Sequence, residues 1–295
     1  MGLIRVNSRR IALLTLSPIM VMLLVGEWYL YHSRGTDVPR YNCQDPATAL
    51  EMDLVVSPYF HYDASDEALR QREMEYMIAL QRNLNHNFVR RIHILTTNAE
   101  ELTRRLEKFE LSSQSKLLVI ELKRIVMTRD VFEYISQNLI GSNVMFLNGD
   151  IYLGSGYNCV DPTIMRESRI MYALTRQAKE EESCGESDYC FESQYRGSHD
   201  AFLFHLTEPF PQSALEHLEF LHPSLGMENI IIWIFKTKLK YCVLNPCSIL
   251  EVFHLHCSAL RNYIDIDRVN DESNSGLSPF TKDLVCNSNQ QVPPN

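Results

Sequence analysis

The chain has 295 residues and a formal charge of −9, a length that suits one large domain or two small ones. Hydrophobic residues make up 45% of it, enough for a substantial core and too many for an intrinsically disordered chain. The acidic balance excludes nucleic acid as a partner, because phosphate backbones require a basic face, but it leaves room for an anionic nucleotide held through a bound metal. The 8 cysteines are too few for a small disulfide scaffold.

In chain order, Arg5, Arg9 and Arg10 precede an uncharged apolar run, Ile11–Gly26, and Trp28, Tyr29 and Tyr31 follow it as an interfacial belt. With Glu27 at the water boundary the segment is about 20 residues, near the minimum for a bilayer span. The positive-inside rule keeps residues 1–10 cytosolic and sends the rest to the lumen. A cleaved signal peptide is the competing reading. Large residues fill the zone where cleavage would fall, so an uncleaved signal-anchor over 11–31 is the expectation. The short span suits the membranes of the early secretory pathway, endoplasmic reticulum or Golgi, in a single-pass type II topology. Residues 32–49 read as a stem, 50–265 as the globular domain and 266–295 as a polar tail, disordered or loosely docked. A lumenal domain permits disulfides; Cys184 with Cys190 and Cys242 with Cys247 are plausible pairs, although spacing alone does not fix connectivity. The chain carries no Asn-x-Ser/Thr sequon.

The globular domain alternates strand and helix patterns. Met52–Tyr59 reads as a strand, Asp63–Asn85 as a helix with Asp66 as N-cap and with Leu69, Met74, Met77, Ile78 and Leu80 mostly on one apolar face, and Arg91–Thr97 as a second strand. Asn98–Phe109 reads as a charged helix capped by Asn98, Lys116–Leu122 as a third strand and Asp130–Leu139 as a further helix. A strand beginning at Val144 runs into Asn148-Gly149-Asp150. This order argues for an α/β fold, doubly wound around a mostly parallel sheet.

Asn148-Gly149-Asp150 ends a continuous apolar run, where open α/β sheets bind ligands. Asp150 offers a short, hard oxygen donor suited to a divalent cation, and Gly149 would let a ligand approach the backbone. An ordinary polar turn is the alternative reading. Beyond it, Ile170–Arg176 reads as a strand, Lys179–Arg196 as a cysteine-flanked surface loop or lid, and Gly197-Ser198-His199-Asp200 as the entry to the strand AFLFHL. Glu228, in Leu225-Gly226-Met227-Glu228-Asn229, falls in the first turn of an apolar helix, where the dipole favours its anionic form. Ser248–His256 alternates with period two, which sends His254 and His256 to one face. Two histidines so placed suggest a metal site.

Taken in order, the Arg70-Gln71-Arg72-Glu73 helix, the strand RIHILTT, FLNGDIYLG, Asp200, the Gly-Met-Glu-Asn segment and the late His-x-His resemble a GT-A-type nucleotide-sugar glycosyltransferase from about Met52 to Tyr263. The resemblance puts Asn148-Gly149-Asp150 in the place of the family's Asp-x-Asp motif, with Asn148 lacking the first charge. It implies a GT-A-like doubly wound fold and a divalent metal, Mn2+ or Mg2+, on Asp150 and His256 with His254 in reserve. It further implies a nucleotide-sugar donor near Asn148, Asp150, Arg70 and Arg72, and Glu228 as catalytic base with Asp200 as the other candidate. The function implied is a lumenal membrane-anchored hexosyltransferase-like enzyme acting on a glycan, glycoprotein or glycolipid hydroxyl. The alternatives are a non-catalytic binding or scaffolding protein on the same fold and a different metal enzyme built on His199, Asp200, His254 and His256.

Overall fold

A mixed sheet of seven strands runs through the centre of the computed structural model, which describes residues 43, 50–58, 66–109, 111–178, 190, 198–258, 268–269 and 272–287. The expected cytosolic tail, signal-anchor, and stem apart from Cys43, and the loop 179–196 apart from Cys190, lie outside these residues. Among the described residues no helix is long and apolar enough to cross a membrane.

The strands are β1 (Met52–Val56), β2 (Val89–Thr96), β3 (Leu117–Glu121), β4 (Asn143–Leu147), β5 (Ile151–Leu153), β6 (Ile170–Leu174), β7 (Ala201–His205), β8 (Cys242–Leu244) and β9 (Val252–His254). The helices are α1 (Glu67–Asn85), α2 (Ala99–Lys108), α3 (Thr128–Asn138), α4 (Pro162–Glu167), α5 (Gln212–Leu215) and α6 (Met227–Trp233), the last continued by a wider turn over Ile234–Lys238. The large sheet has the order β3-β2-β1-β4-β7-β6-β8. The pairings β1–β2, β2–β3, β1–β4 and β6–β8 are parallel, and β7 runs antiparallel to both neighbours. The expected mostly parallel α/β architecture is therefore present, with one reversed strand inside it.

That reversal matters for the site. The carboxyl ends of β1, β4 and β6 and the amino end of β7 all open on one edge. Strands β2 and β4 flank β1 on opposite sides, which makes the gap between β1 and β4 a switch point of the winding.

The cap signals act as the sequence suggests: Asp66 accepts from the amide of Ala68, and Asn98 accepts from that of Glu101. Buried phenylalanines bind the sheet to α3 and the α6 segment. Phe132 meets Phe146 edge-on at 5.4 Å, and Phe204 lies 4.8 Å from Phe235 between ring centres. Each such ring contributes roughly 1.5–3 kcal/mol by burial. Helix α1 departs from its expected face. Met74 and Ile78 are exposed, whereas Arg72, Glu75, Tyr76 and Asn83 are buried with Met77 and Leu80. The polar members of this stripe have partners on the site side of the molecule, so burial does not leave them unsatisfied.

Two expectations are corrected. Cys190 pairs with Cys247 and Cys242 with Cys286, and Cys43 pairs with Cys159. Neither Cys184–Cys190 nor Cys242–Cys247 forms. In the second case the extended β8, rising about 3.3 Å per residue, carries Cys242 away from the turn that holds Cys247. Nor is residues 272–287 a loose tail. Besides the disulfide at Cys286, the Tyr172 hydroxyl donates to the Leu284 carbonyl at 2.7 Å, and the Thr281 amide donates to the Asn245 carbonyl at 3.1 Å.

Candidate metal centre and cleft

The strand edge described above opens into a cleft of about 170 Å3. Ser57 and Pro58 reach it from β1, Asn148, Gly149 and Asp150 from β4, Arg176 from β6 and Asp200 from the start of β7. Helix α1 contributes Arg72 and Tyr76; the segment entering α6 contributes His222 and Glu228; β9 and its continuation contribute His254 and His256.

Asn148-Gly149-Asp150 is both a turn and a site. The Ile151 amide donates back to the Asn148 carbonyl at 3.1 Å, closing the turn and starting β5. Antiparallel pairing of β5 with β9 sets Ile151 opposite His254, and the Leu255 amide donates to the Asp150 carbonyl at 3.0 Å. This ribbon brings together residues about a hundred positions apart in the chain. Gly149 has a different reason from the one expected. A Cβ there would stand 2.7 Å from the Pro58 Cβ and 3.4 Å from Tyr76, so the glycine serves the packing of this turn on the end of β1.

His254 Nε2 stands 2.9 Å from Asp150 Oδ2 and His256 Nδ1 stands 3.8 Å from the same oxygen. One ligand atom from each of the three residues fits within a 4.8 Å span. Donors that share one ion at about 2.1 Å each lie roughly 3–4 Å apart, so the spacing suits a single divalent ion. One carboxylate oxygen and two imidazole nitrogens are a donor set for a first-row transition ion. His254 ends β9 and His256 lies just beyond it, yet both reach the cleft, as the alternation suggests.

The same carboxylate meets a cation of the protein itself. Arg72 Nη2 donates to Asp150 Oδ2, Nη1 donates to Glu75 Oε2 at 2.8 Å, and Nε donates to the Tyr76 hydroxyl at 3.2 Å. Glu75 in turn accepts from the amides of Cys257 and Ser258 at 2.5 and 2.6 Å and from the Ser258 hydroxyl at 3.0 Å. It thereby ties α1 to the segment that carries His256. Burial alone would raise the Asp150 carboxyl, but His254 and Arg72 outweigh it and hold the group far below the usual carboxylate range. Burial pushes the Tyr76 phenol up to about 12.

Across the cleft the chemistry reverses. Burial raises Glu228 to about 7; the Asp200 charge adds to the rise, while backbone amides and Arg268 oppose it. The helix-start position therefore does not keep Glu228 ionised, contrary to expectation. Asp200 accepts from Arg176 Nη1 at 3.0 Å and from the Ser198 hydroxyl at 3.0 Å, and its backbone carbonyl accepts from the Asn148 amide at 3.1 Å. Asn148 Nδ2 also lies 3.4 Å from Asp200 Oδ1. His199 lines the cleft, but its Nε2 meets the Ser278 carbonyl at 3.2 Å, and it does not belong to the three-ligand cluster. The metal grouping of His199 and Asp200 with the late histidines is thus not formed. Burial lowers His222 to about 4, which keeps its imidazole neutral.

The structure thus gathers Asn148, Asp150, Arg72, Asp200, Glu228, His254 and His256 in one cleft. It leaves out Arg70, which pairs with Glu67 at 2.5 Å on the exposed side of α1. Sequence reasoning missed Glu75, Arg176 and His222. For Glu75 the one signal was its position three after Arg72 and eight before Asn83, a polar stripe at helical spacing.

No protein-family model matches the chain, and no curated protein matches it. Among solved structures it is similar to the mannosyltransferase PcManGT of Pyrobaculum calidifontis in complex with GDP-Man and Mn2+, at 11% identity over 82% of this chain and 68% of that chain, with a TM-score of 0.43. It is similar to GalNAc-T7 with UDP, GalNAc and Mn2+, at 13% identity over 82% of this chain and 53% of that one, with a TM-score of 0.40. A third is S. aureus TarS in complex with UDP-GlcNAc, at 12% identity over 48% of this chain and 38% of that one, with a TM-score of 0.32. The chain spans less than two thirds of the GalNAc-T7 and TarS structures. At this level of similarity the chemistry of the chain rests on its own cleft.

Proposed function

We propose that the chain is a glycosyltransferase, moving a sugar from a nucleotide-sugar donor to a hydroxyl of a glycan, glycoprotein or glycolipid acceptor. The observation that carries this reading is the meeting, at the switch point of the sheet, of a three-donor cation site and a protonatable Glu228 in one cleft. The order of sequence motifs that resembles GT-A enzymes supports it independently. Asp150, His254 and His256 hold Mn2+ or Mg2+, which when bound neutralises charge on the departing diphosphate. Arg72 presents a planar guanidinium to the same anionic group. Glu228 accepts the proton of the acceptor hydroxyl as that oxygen attacks the sugar carbon. Asp200, fixed by Arg176 and Ser198, orients hydroxyls of the sugars by accepting from them.

The reading includes a setting: anchorage through residues 11–31 in a Golgi or endoplasmic reticulum membrane, with the domain in the lumen. The disulfides support it, since no described cysteine is free and such bonds persist in oxidising compartments. A second reading, a binding protein without turnover, is favoured by Asn148, which brings no charge to the motif. One experiment separates the two: a panel of nucleotide sugars incubated with the full chain, Mn2+ and candidate acceptors, read as sugar transfer and as nucleotide binding. Metal-dependent transfer that Asp150→Ala abolishes supports the enzyme; binding with no transfer supports the second reading.

A further inference from the structure

We propose that Arg72 is a resident cation that competes with the divalent ion for Asp150, so that ion and diphosphate enter the cleft together. The inference rests on the reading of Asp150, His254 and His256 as the ion site.

Oδ2 of Asp150 is the oxygen closest to both imidazoles, and it is also the oxygen that the Arg72 guanidinium occupies. An ion that takes this oxygen must share it with Arg72 or displace it. The guanidinium is held from behind. Its Nη1 donates to Glu75 and, at 3.4 Å, to the Leu255 carbonyl, and its carbon sits 4.6 Å from the centre of the Tyr76 ring. Glu75 keeps three donors of its own from Cys257 and Ser258, which fix its carboxylate whether or not Arg72 is paired with Asp150. Breaking the Asp150 contact therefore turns one edge of the guanidinium into the cleft without releasing the side chain.

Charge sets the direction of the coupling. The guanidinium of Arg72 and the carboxylates of Asp150 and Glu75 together carry one net negative charge. A divalent ion alone converts this to one net positive charge, with the ion facing a guanidinium whose side chain is only 8% exposed. Like charges that close in a partly dry site repel strongly. A diphosphate answers both cations at once, and the edge of Arg72 freed from Asp150 matches phosphate oxygens in a bidentate fork. Linkage then requires the diphosphate to raise ion affinity by the factor by which the ion raises diphosphate affinity.

The test measures free Mn2+ by electron paramagnetic resonance during titration of the full chain, with and without inorganic pyrophosphate. Unsubstituted protein is expected to bind Mn2+ weakly alone and about tenfold or more tightly with pyrophosphate present. Arg72→Met, similar in length but uncharged, is expected to bind Mn2+ alone about tenfold more tightly, with the pyrophosphate effect reduced. Equal or weaker Mn2+ binding by Arg72→Met, with the pyrophosphate effect intact, overturns the competition. Asp150→Asn is titrated alongside: if it binds Mn2+ as the unsubstituted chain does, the ion site itself is wrong, whereas its loss of binding beside an inert Arg72→Met sinks only the competition. Should Arg72→Met not fold, the side-chain nitrogen resonances of Arg72 are followed while Mg2+ is added to the unsubstituted chain. A shift at saturation is expected, and an unmoved Arg72 signal overturns the proposal.

Discussion

Asp150 and Glu228 are carboxylates lining one cleft, and their surroundings drive them in opposite directions. Asp150 is the more enclosed and should be the harder to ionise, yet contact with Arg72 and His254 holds it far below the ordinary range. At Glu228 burial and the Asp200 charge outweigh Arg268 and the backbone amides and raise the group to about 7. Partners, more than depth, decide which carboxylate keeps its proton. A site with one permanently anionic group and one poised near neutrality can fix a cation on one side and move a proton on the other.

The largest test of this contrast is Glu228→Gln. It removes the proton acceptor and leaves the ion side untouched, so transfer should fall about 100- to 10,000-fold, with Mn2+ affinity unchanged. If Glu228 is the base of the proposed transfer, kcat/KM of the unsubstituted chain should rise with pH through a midpoint near 7, because the base works only when ionised. Stability should run the other way. Between the ordinary value of 4.5 and about 7 the folded chain keeps a proton at Glu228 that the unfolded chain has released. Stability is thus greatest below that window and falls as pH rises through it, by up to about 3 kcal/mol. Denaturant melts of Glu228→Gln should lack this slope; parallel pH profiles would show that Glu228 is not the raised group.

Asp150→Asn attacks the other side. It removes the charge shared by Arg72 and His254 and leaves a buried guanidinium with one carboxylate in place of two. Breaking a buried pair from one end costs about 3–5 kcal/mol, an upper figure here because Glu75 still holds Arg72. Mn2+ binding should be lost in the same variant. Retained binding would mean that the two imidazoles find their cation elsewhere.

The two sides also differed in how far the sequence exposed them. The order of strands and helices followed from periodicity and caps, and the late histidines could be placed on one face because alternation is local. The β5–β9 ribbon that carries His254 to Asp150 follows from pairing across about a hundred residues, which no local pattern encodes. Glu75 was invisible for a related reason. A glutamate on a charged helix reads as a solvated group, and only the amides of Cys257 and Ser258 explain its burial. The same blindness put Met74 and Ile78 on the wrong side of α1, since hydrophobicity is a poor guide to a face that packs on a polar site. The exchange of disulfide partners is tertiary too: Cys242 on β8 meets Cys286 from a segment whose composition suggests disorder.

That segment backs the proton-moving side. The Ser278 carbonyl meets His199, which adjoins Asp200, and Gly276 donates its amide to the Asn229 carbonyl on α6 at 2.9 Å. Replacing Cys242 and Cys286 by serine opens a loop of 44 residues and should cost about 2–4 kcal/mol in a thermal or denaturant melt. Transfer should drop more than Mn2+ affinity does, because the segment supports Asp200 and α6 and not Asp150. Equal losses on both sides would show that the cleft loosens as a whole.

The smallest expected effect is the most discriminating about α1. Arg70 and Arg72 lie two positions apart, a separation that turns a helix by more than half a revolution and sends them to opposite faces. Arg72 meets Asp150 in the candidate ion site, while Arg70 makes an exposed pair with Glu67. Such pairs contribute less than about 0.5 kcal/mol, so Arg70→Ala should leave the melt, Mn2+ affinity and donor affinity almost unchanged. A clear rise in the Kd for a nucleotide diphosphate would place Arg70 on the donor after all. It would also show that the diphosphate reaches over the start of α1 and does not stop at the guanidinium buried beside Asp150.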